Sequence, residues 1–417
     1  GSIANNKLAN SSITVNGTSV SLGGSVSAGS IEWQAVKTAA FNAVAGEGYF
    51  VNTTSGAITV TLPASPSAGD TIAIKDYAGT FASNALTIAR NGKNIQGVAN
   101  NSQLSTVRAS VVLVFIDDTK GWLFTNESNV ADLGAPAFIT ATGGTVATDG
   151  DYKVHSFTGD ADFVVSQVGN PLGGPSNVDY LVVAGGGGAA GGGGGGGGAG
   201  GYRTSFPSPA GTIPVSSSTY PISVGAGGAG KVSPTGFGIG DNGSNSVFST
   251  ITSSGGGGGS TQSGPAGSSG GSGGGGGATT PSGGAGNTPP VSPSQGNNGG
   301  NGAGGQGGGG GGGATAVGVN SSSGGAAGGV GTANSITGSS VTYAGGGGGG
   351  SDNRCAPGGA GGSGGGGQGG FRPGGSGSGT FTSGTANTGG GAGGIGESTS
   401  GQSNGGSGIV IIRYKFQ

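Results

Sequence analysis

Val178-Asp-Tyr-Leu-Val-Val-Ala184 runs without a break into Gly185-Gly-Gly-Gly-Ala-Ala-Gly-Gly-Gly-Gly-Gly-Gly-Gly-Gly198. The first half is rich in the β-branched and aromatic residues that favour a strand. The second half has no side chain larger than a methyl group. Either the glycines are a flexible linker, or they form a folded object built from backbone. The junction recurs: strand-like sequence leads at once into glycine at Ala184 to Gly188, Ser254 to Gly259 and Ala344 to Gly350. A linker has no use for such an internal repeat.

Ordering one residue costs about 1–2 kcal/mol, with glycine at the upper end. Side-chain burial cannot offset that in these tracts, so the backbone amides and carbonyls must pair with one another. One geometry permits it. Glycine chains in the three-residue extended helix, rising about 3.1 Å per residue, can lie side by side because no Cβ intervenes. Each peptide then bonds laterally for about 1 kcal/mol net, with Cα–H to carbonyl contacts adding about 0.5. Runs at 185–188, 191–198, 255–259, 273–277, 307–313, 345–350, 364–367 and 389–391 supply the members. An eight-glycine run would span about 25 Å as one rod. Substituents three apart share a face of such a rod and can point out of the slab. That spacing occurs in Ala199-Gly-Gly-Tyr202, Ala226-Gly-Gly-Ala229, Asn298-Gly-Gly-Asn301, Ala303-Gly-Gly-Gln306, Ala327-Gly-Gly-Val330, Ala360-Gly-Gly-Ser363 and Ala392-Gly-Gly-Ile395.

The composition narrows the alternatives. Of 417 residues 112 are glycine, only 7% are charged, and the net charge is -2. Glycine-rich low-complexity sequence defaults to disorder, yet disordered chains usually carry many charges. Between 184 and 408 the charged residues are Arg203, Lys231, Asp241, Asp352, Arg354, Arg372 and Glu397. No Lys/Arg cluster offers a footprint for nucleic acid. No apolar run approaches the roughly 20 residues of a membrane-inserted helix, and no signal peptide is evident. A single cysteine, Cys355, excludes an intrachain disulfide. Methionine is absent even at position 1, which reads as a processed chain or the C-terminal part of a longer one.

Outward from the tracts, the expected class is all-β. Residues 1–30 repeat Ser, Thr, Val, Asn and Gly without a core-forming face, as a shaft or linker segment would. Residues 31–129 form a small β-sandwich, with strands at 57–62, 71–75, 85–89, 111–116 and 122–125 and a hairpin turn at 117–121. Residues 130–417 hold β strands plus the glycine domain: a β lead-in at 137–183, the glycine array at 184–408 and a closing strand at 409–416. Further strands are dispersed through the array at 220–224, 246–252 and 340–343.

Asn177-Val-Asp-Tyr-Leu-Val-Val-Ala-Gly-Gly-Gly-Gly188, Pro221-Ile-Ser-Val-Gly-Ala-Gly-Gly228 and Gly405-Gly-Ser-Gly-Ile-Val-Ile-Ile-Arg-Tyr414 together resemble the glycine-rich domain of bacteriophage tail fibres. The stretch Ala57-Ile-Thr-Val-Thr-Leu-Pro-Ala-Ser-Pro-Ser-Ala-Gly-Asp-Thr-Ile72 resembles modules in fibres of marine phages, including those of cyanobacteria. Asn10-Ser-Ser-Ile-Thr-Val-Asn-Gly-Thr-Ser-Val-Ser-Leu-Gly-Gly24 is similar to their shaft repeats. The glycine tracts alone are unspecific; the order shaft, sandwich, glycine domain tells more. The resemblance implies a non-enzymatic, extracellular adhesin of the virion, a homotrimer like T-even-type fibres. It would attach to a bacterial surface receptor, an outer-membrane protein or a glycan, through loops on a polyglycine sandwich. The intervening segments here are longer and less regular than in a compact adhesin.

Binding residues should then lie in the non-glycine connections. The candidates are Tyr202, Arg203, Phe206, Asp352, Asn353, Arg354, Phe371, Arg372 and Phe381, because aromatic faces stack on sugars or apolar patches and Arg forks match carboxylate or phosphate. Tyr202 and Phe206 have a second reading, as caps on the slab edge or packing against the strands. The Pro-rich Thr288-Pro-Pro-Val-Ser-Pro293 is a weaker candidate. His155, alone in a strand pattern, reads as an ordinary core or surface residue and has no partner set for a metal. Asp117-Asp118 and Asp149-Gly-Asp151 read as turn carboxylates rather than a glycosidase pair. No Gly-Lys-Ser/Thr follows a glycine run, so the runs are not phosphate loops, and the resemblance implies neither catalytic residues nor a cofactor. Two rivals remain: a structural extracellular filament with no specific receptor, and an ice-binding protein, whose regular Thr or Ala face is missing here.

Overall fold

The computed structural model describes residues 12–15, 18–24, 31–128, 136–170, 173–207, 211–231, 238–279, 282–351, 357–371, 380–396 and 401–417. The chain divides into two units, Gly1–Pro136 and Ala137–Gln417. The described residues hold strands, turns and extended chain without an α-helix.

In the first unit, β1 (Ser12–Val15) and β2 (Thr18–Ser21) form an antiparallel hairpin, the described part of the segment read as a shaft. Then follow β3 (Glu32–Lys37), β4 (Phe41–Asn42), β5 (Glu47–Val51), β6 (Ile58–Thr61), β7 (Thr71–Asp76), β8 (Leu86–Ala89), β9 (Ser102–Leu104), β10 (Ser110–Asp117) and β11 (Gly121–Ser128). They make two sheets, ordered β11-β10-β7-β5-β3 and β4-β6-β8-β9. The strands expected at 57–62, 71–75, 85–89, 111–116 and 122–125 are β6, β7, β8, β10 and β11. The winding is an addition. From β3 to β8 the chain changes sheet at every strand, so β3, β5 and β7 pair in parallel, as do β4, β6 and β8. Parallel neighbours need a crossover, and each sheet's strand serves as the other's connection.

Alternation fills the space between the sheets. Ile58 and Val60 are buried while Thr59 is exposed, and Val111, Leu113 and Phe115 alternate with half-buried neighbours. Trp122, Phe81, Leu86, Ile88 and Leu104 complete a core with no solvent exposure. The buried Asp76 carboxylate closes a loop by accepting backbone N–H bonds from Gly79 (2.9 Å), Thr80 (3.2 Å), Phe81 (3.3 Å) and Arg108 (2.9 Å).

The second unit contains β12 (Thr140–Thr142), β13 (Thr145–Asp149), β14 (Tyr152–Phe157), β15 (Ala161–Gln167), β16 (Asn177–Val183), β17 (Tyr202–Thr204), β18 (Ile213–Pro214), β19 (Thr219–Ser223), β20 (Ser246–Phe248), β21 (Ile251–Ser253), β22 (Thr332–Asn334), β23 (Val341–Tyr343) and β24 (Ile409–Lys415). One sheet is β12-β15-β19-β20-β21; the other is β13-β14-β24-β16-β17, with β18 also on β16; β22 and β23 form a hairpin. The terminal strand β24 sits in the middle of its sheet, antiparallel to both β14 and β16. Both faces of that sheet are covered, which is why β16 and β24 read as continuous apolar runs. Val178, Tyr180, Val182, Val410, Ile412 and Tyr414 pack into the core shared with Phe163 and Phe248. Leu181, Val183, Ile409 and Ile411 face the other way, onto Ala199, Ile336, Tyr343 and Ala344.

From this double-faced sheet the glycine tracts depart. The run 194–201 lies at the centre of their packing. Gly195, Gly198 and Gly201 donate N–H to Ser260, Gly257 and Ser254, each at 2.8 Å; Gly197 and Gly200 donate to Ala392 (2.8 Å) and Gly389 (2.9 Å); Gly196 and Ala199 donate to Gly309 (3.1 Å) and Gly312 (2.9 Å). The carbonyls of Gly194 and Gly197 accept from Gly350 and Gly347, those of Gly196 and Ala199 from Gly275 and Ser272, and those of Gly198 and Gly201 from Gly187 and Ala184. Every row repeats at three residues, and each goes to a different run. One three-fold rod therefore has six neighbours, bonded entirely through backbone: a packed array of polyglycine II helices.

The glycines are obligatory in this packing. A Cβ added at Gly195, Gly196 or Gly197 would lie 2.1 Å from the carbonyl oxygen of Gly275, Gly347 or Gly187. Two expectations need correction. The tract 191–198 is not one rod: Gly192 and Gly193, at φ 74° and 71°, reverse the chain, so 184–190 runs away from the strands and 194–201 returns. Nor do all residues spaced by three point outward. Ala226, Ala229, Asn298, Asn301, Ala360 and Ser363 are exposed, but Ala392 and Ile395 are fully buried. Their run is interior, bonded to 194–200, 345–348, 367–370 and 187–190 among others.

Candidate functional site

Lateral bonds fix which ends of the rods lie together. Ala184 donates to Gly201, Gly201 to Ser254, and Ala344 to Thr388, so one end adjoins the sheets. At the other end Gly350 donates to Gly194, Ser351 to Gly370, Gly370 to Gly394, and Ile395 to Ala190. The described candidate residues divide between these two ends.

Tyr202, Arg203 and Phe206 belong to the end beside the sheets. Tyr202 and Phe206 are half-buried against Leu181, Val183 and Ile411. The Tyr202 hydroxyl accepts a 2.8 Å bond from Asn334 Nδ2, and burial raises its pKa while that bond lowers it. The Phe206 ring lies 5.5 Å from the Arg413 guanidinium. Of the two readings open for these aromatics, packing against the strands is the arrangement observed. Arg203 is different: the residue is half-buried, and Nη1 makes one long bond, 3.4 Å, to the carbonyl of Thr252.

Phe371 and Phe381 belong to the opposite end, both half-buried. Phe371 follows Gly370, and the Cβ of Phe381 would meet a Cβ on that same glycine at 3.2 Å. The Phe381 ring also reaches Gly401, where an added Cβ would be 2.9 Å from Cζ. Two aromatics thus stand at the same end of the slab, each beside a glycine that leaves it room. Asp352, Asn353, Arg354 and Arg372, with Cys355, lie outside the described residues.

The remaining polar residues have structural roles. His155 is fully buried. Its Nδ1 donates to the Gly143 carbonyl at 2.7 Å, leaving Nε2 to accept from the Tyr414 hydroxyl at 3.0 Å. Burial holds its pKa below the ordinary value. Asp117 accepts from the Thr119 and Lys120 amides in the β10–β11 turn, and Asp118 pairs with Lys93 at 2.6 Å. Asp149 pairs with the nearly buried Arg413 at 2.6 Å, whose guanidinium stacks 4.2 Å from the Tyr152 ring centre. Sequence reasoning passed over Arg413; its place inside Ile409-Val-Ile-Ile-Arg-Tyr414 was the available signal, since a charge in an apolar strand needs a partner. Among the described residues no three His, Cys, Asp or Glu side chains converge as a metal would require.

A family model described as a glycine-rich domain matches residues 164–415. No curated protein matches the chain.

Proposed function

The chain belongs to the glycine-rich domain family, and from that premise we propose that it is a non-enzymatic receptor-binding fibre protein of a phage tail, extracellular on the virion. In this reading it attaches the particle to a bacterial surface receptor, an outer-membrane protein or a glycan. The observation that carries the reading is the six-neighbour packing of 194–201. A slab whose interior is backbone with few side chains, Ala392 and Ile395 among them, carries most of its larger side chains on its faces and ends, held by the lateral bonds beneath. The end remote from the sheets, with Phe371 and Phe381, is the proposed contact surface. Single contacts of that size bind weakly, and several copies, three in the proposed homotrimer, raise the effective affinity by avidity.

Cell adsorption tests it. The purified chain should bind susceptible host cells, and Phe371→Ala with Phe381→Ala should lower adsorption at least tenfold while the protein stays folded. Undiminished adsorption by the double variant would remove this surface from the assignment. A second reading, a structural filament, draws on a different observation. Val317, Val319 and Val330 are 59%, 51% and 47% exposed along adjoining rods. If rods stack through that edge, the chain will polymerise on concentration without adhering to cells.

A further inference from the structure

Beside the sheets, at the end of the slab opposite Phe371 and Phe381, the second unit carries a half-open pocket of about 210 Å³ lined by Tyr180, Tyr202, Arg203, Pro293, Ser294 and Thr332, among others. We propose that it is a binding site for one carboxylated sugar unit, of the uronic acid type. The carboxylate would sit on the Arg203 fork, on the sheet face it shares with Tyr180, and the ring against Pro293. This goes beyond the attachment reading and holds whether or not the far end touches a cell.

Arg203 supplies the charge. Among the described residues no carboxylate pairs with it, whereas Lys231, the other described cation between 184 and 408, is bridged to Asp241 at 2.6 Å. Its one bond, 3.4 Å to the Thr252 carbonyl, engages Nη1 and leaves the rest of the planar fork available for two parallel bonds to a carboxylate. Tyr180 supplies a hydroxyl. The residue is 6% exposed, and among the described residues its Oη has no hydrogen-bond partner. Burial raises the Tyr180 pKa and the nearby Arg203 lowers it, so the phenol and guanidinium share one environment. The Thr332 hydroxyl adds a donor and acceptor at the rim, and Ser294 Oγ, which donates to the Gly296 carbonyl at 2.8 Å, adds an acceptor.

The walls are built rather than incidental. The tract that brings Pro293 to the cavity is bolted internally: Asn287 Oδ1 accepts from the amides of Val291 (3.1 Å) and Gln295 (3.3 Å), and Asn287 Nδ2 donates to the Val291 carbonyl. Gln295, 1% exposed, donates to the Pro289 carbonyl at 3.0 Å and accepts from the Ser254 amide at 2.9 Å. Its own carbonyl accepts from the Tyr202 amide at 2.8 Å, locking the loop to β17. The loop is thus held in place by its own bonds, as a preorganised pocket requires. The volume falls below the roughly 300 Å³ where drug-sized sites begin, the scale of a single ring. The exposed Pro293 face suits the C–H face of a pyranose, and hydroxyls with a guanidinium suit its oxygens.

Saturation-transfer NMR on the full chain with glucuronate, glucose and acetate as probes tests the assignment. Glucuronate at about 20 mM should show transfer to its ring protons, with glucose and acetate at least roughly tenfold weaker. Arg203→Gln should abolish that preference, and Ser294→Trp, which fills the cavity while leaving Arg203 in the sequence, should abolish transfer; unchanged thermal melts will show both variants folded. Glucose binding as well as glucuronate, or acetate as well as glucuronate, overturns the carboxylated-sugar class. Glucuronate transfer that survives both substitutions, or is absent from the parent chain, overturns the site.

Discussion

The first unit and the glycine slab of the second bury their chains with opposite materials. In the first, two sheets hold between them a core of Trp122, Phe81, Leu113 and their neighbours, and the stabilising quantity is apolar area removed from water. In the glycine slab almost no apolar area is available, and the neighbours of 194–201 are held by rows of amide-to-carbonyl bonds repeating every third residue. The difference lies in what each can absorb. Side-chain cores tolerate changes of shape if volume is kept; the slab has no volume to redistribute, because a Cβ at Gly197 would sit 2.1 Å from the Gly187 oxygen.

The largest expected effect follows directly. Gly197→Ala, the smallest possible enlargement, should cost the second unit more than about 4 kcal/mol or prevent its assembly, read by denaturant melts. Leu113→Met in the first unit, a volume-conserving change at a fully buried position, should cost less than about 1.5 kcal/mol. If the alanine is the milder of the two, the contrast between the cores is wrong. Leu113→Ala should fall between them, at about 2–5 kcal/mol, from the cavity it leaves.

A subtler effect involves His155, between the two sheets of the second unit. Its folded pKa lies below the ordinary value of about 6.5 because burial disfavours the charged ring. Above pH 6.5 the ring is neutral in both states and its contribution is fully present. As the pH falls through that value toward the lower folded one, the unfolded chain takes up a proton that the folded chain refuses, and stability declines. Melting curves between pH 8 and pH 5 should show the decline, and His155→Gln should flatten it. Smallest of all, Lys231→Ala removes an ion pair whose side chains are 44% and 53% exposed, and should change stability by about 0.2–1 kcal/mol, less at high salt.

What could be read in advance follows the same division. Strand-into-glycine junctions at 184, 254 and 344 mark where β16, β21 and β23 end, because β-branched runs and glycine are chemically distinct. The closing strand β24 was legible for the same reason. Within glycine itself the sequence is silent: Gly192 and Gly193 turn the chain and Gly195 continues a rod, yet the residues are identical. Only the lateral partners, up to two hundred residues away, distinguish them. The parallel winding of β3 to β8 was hidden because Trp33, Val36 and Val44 are 47%, 39% and 55% exposed and break the alternation there. For the candidate residues, chemistry singled out Tyr202, Arg203, Phe206 and the proline-rich stretch near Pro293, but not that Arg203 and Pro293 share a cavity with Tyr180 and Thr332. No spacing joins residues that far apart.

Hydrogen–deuterium exchange resolved by residue tests the packing most directly. The amides of Gly195, Gly197, Gly198 and Gly201 should exchange as slowly as those of Val182 and Ile411 in the central strands of the sheet. Exchange of those glycines at the rate of an unstructured chain, alongside protected strands, would contradict a solid block of backbone and leave the tracts as tethers.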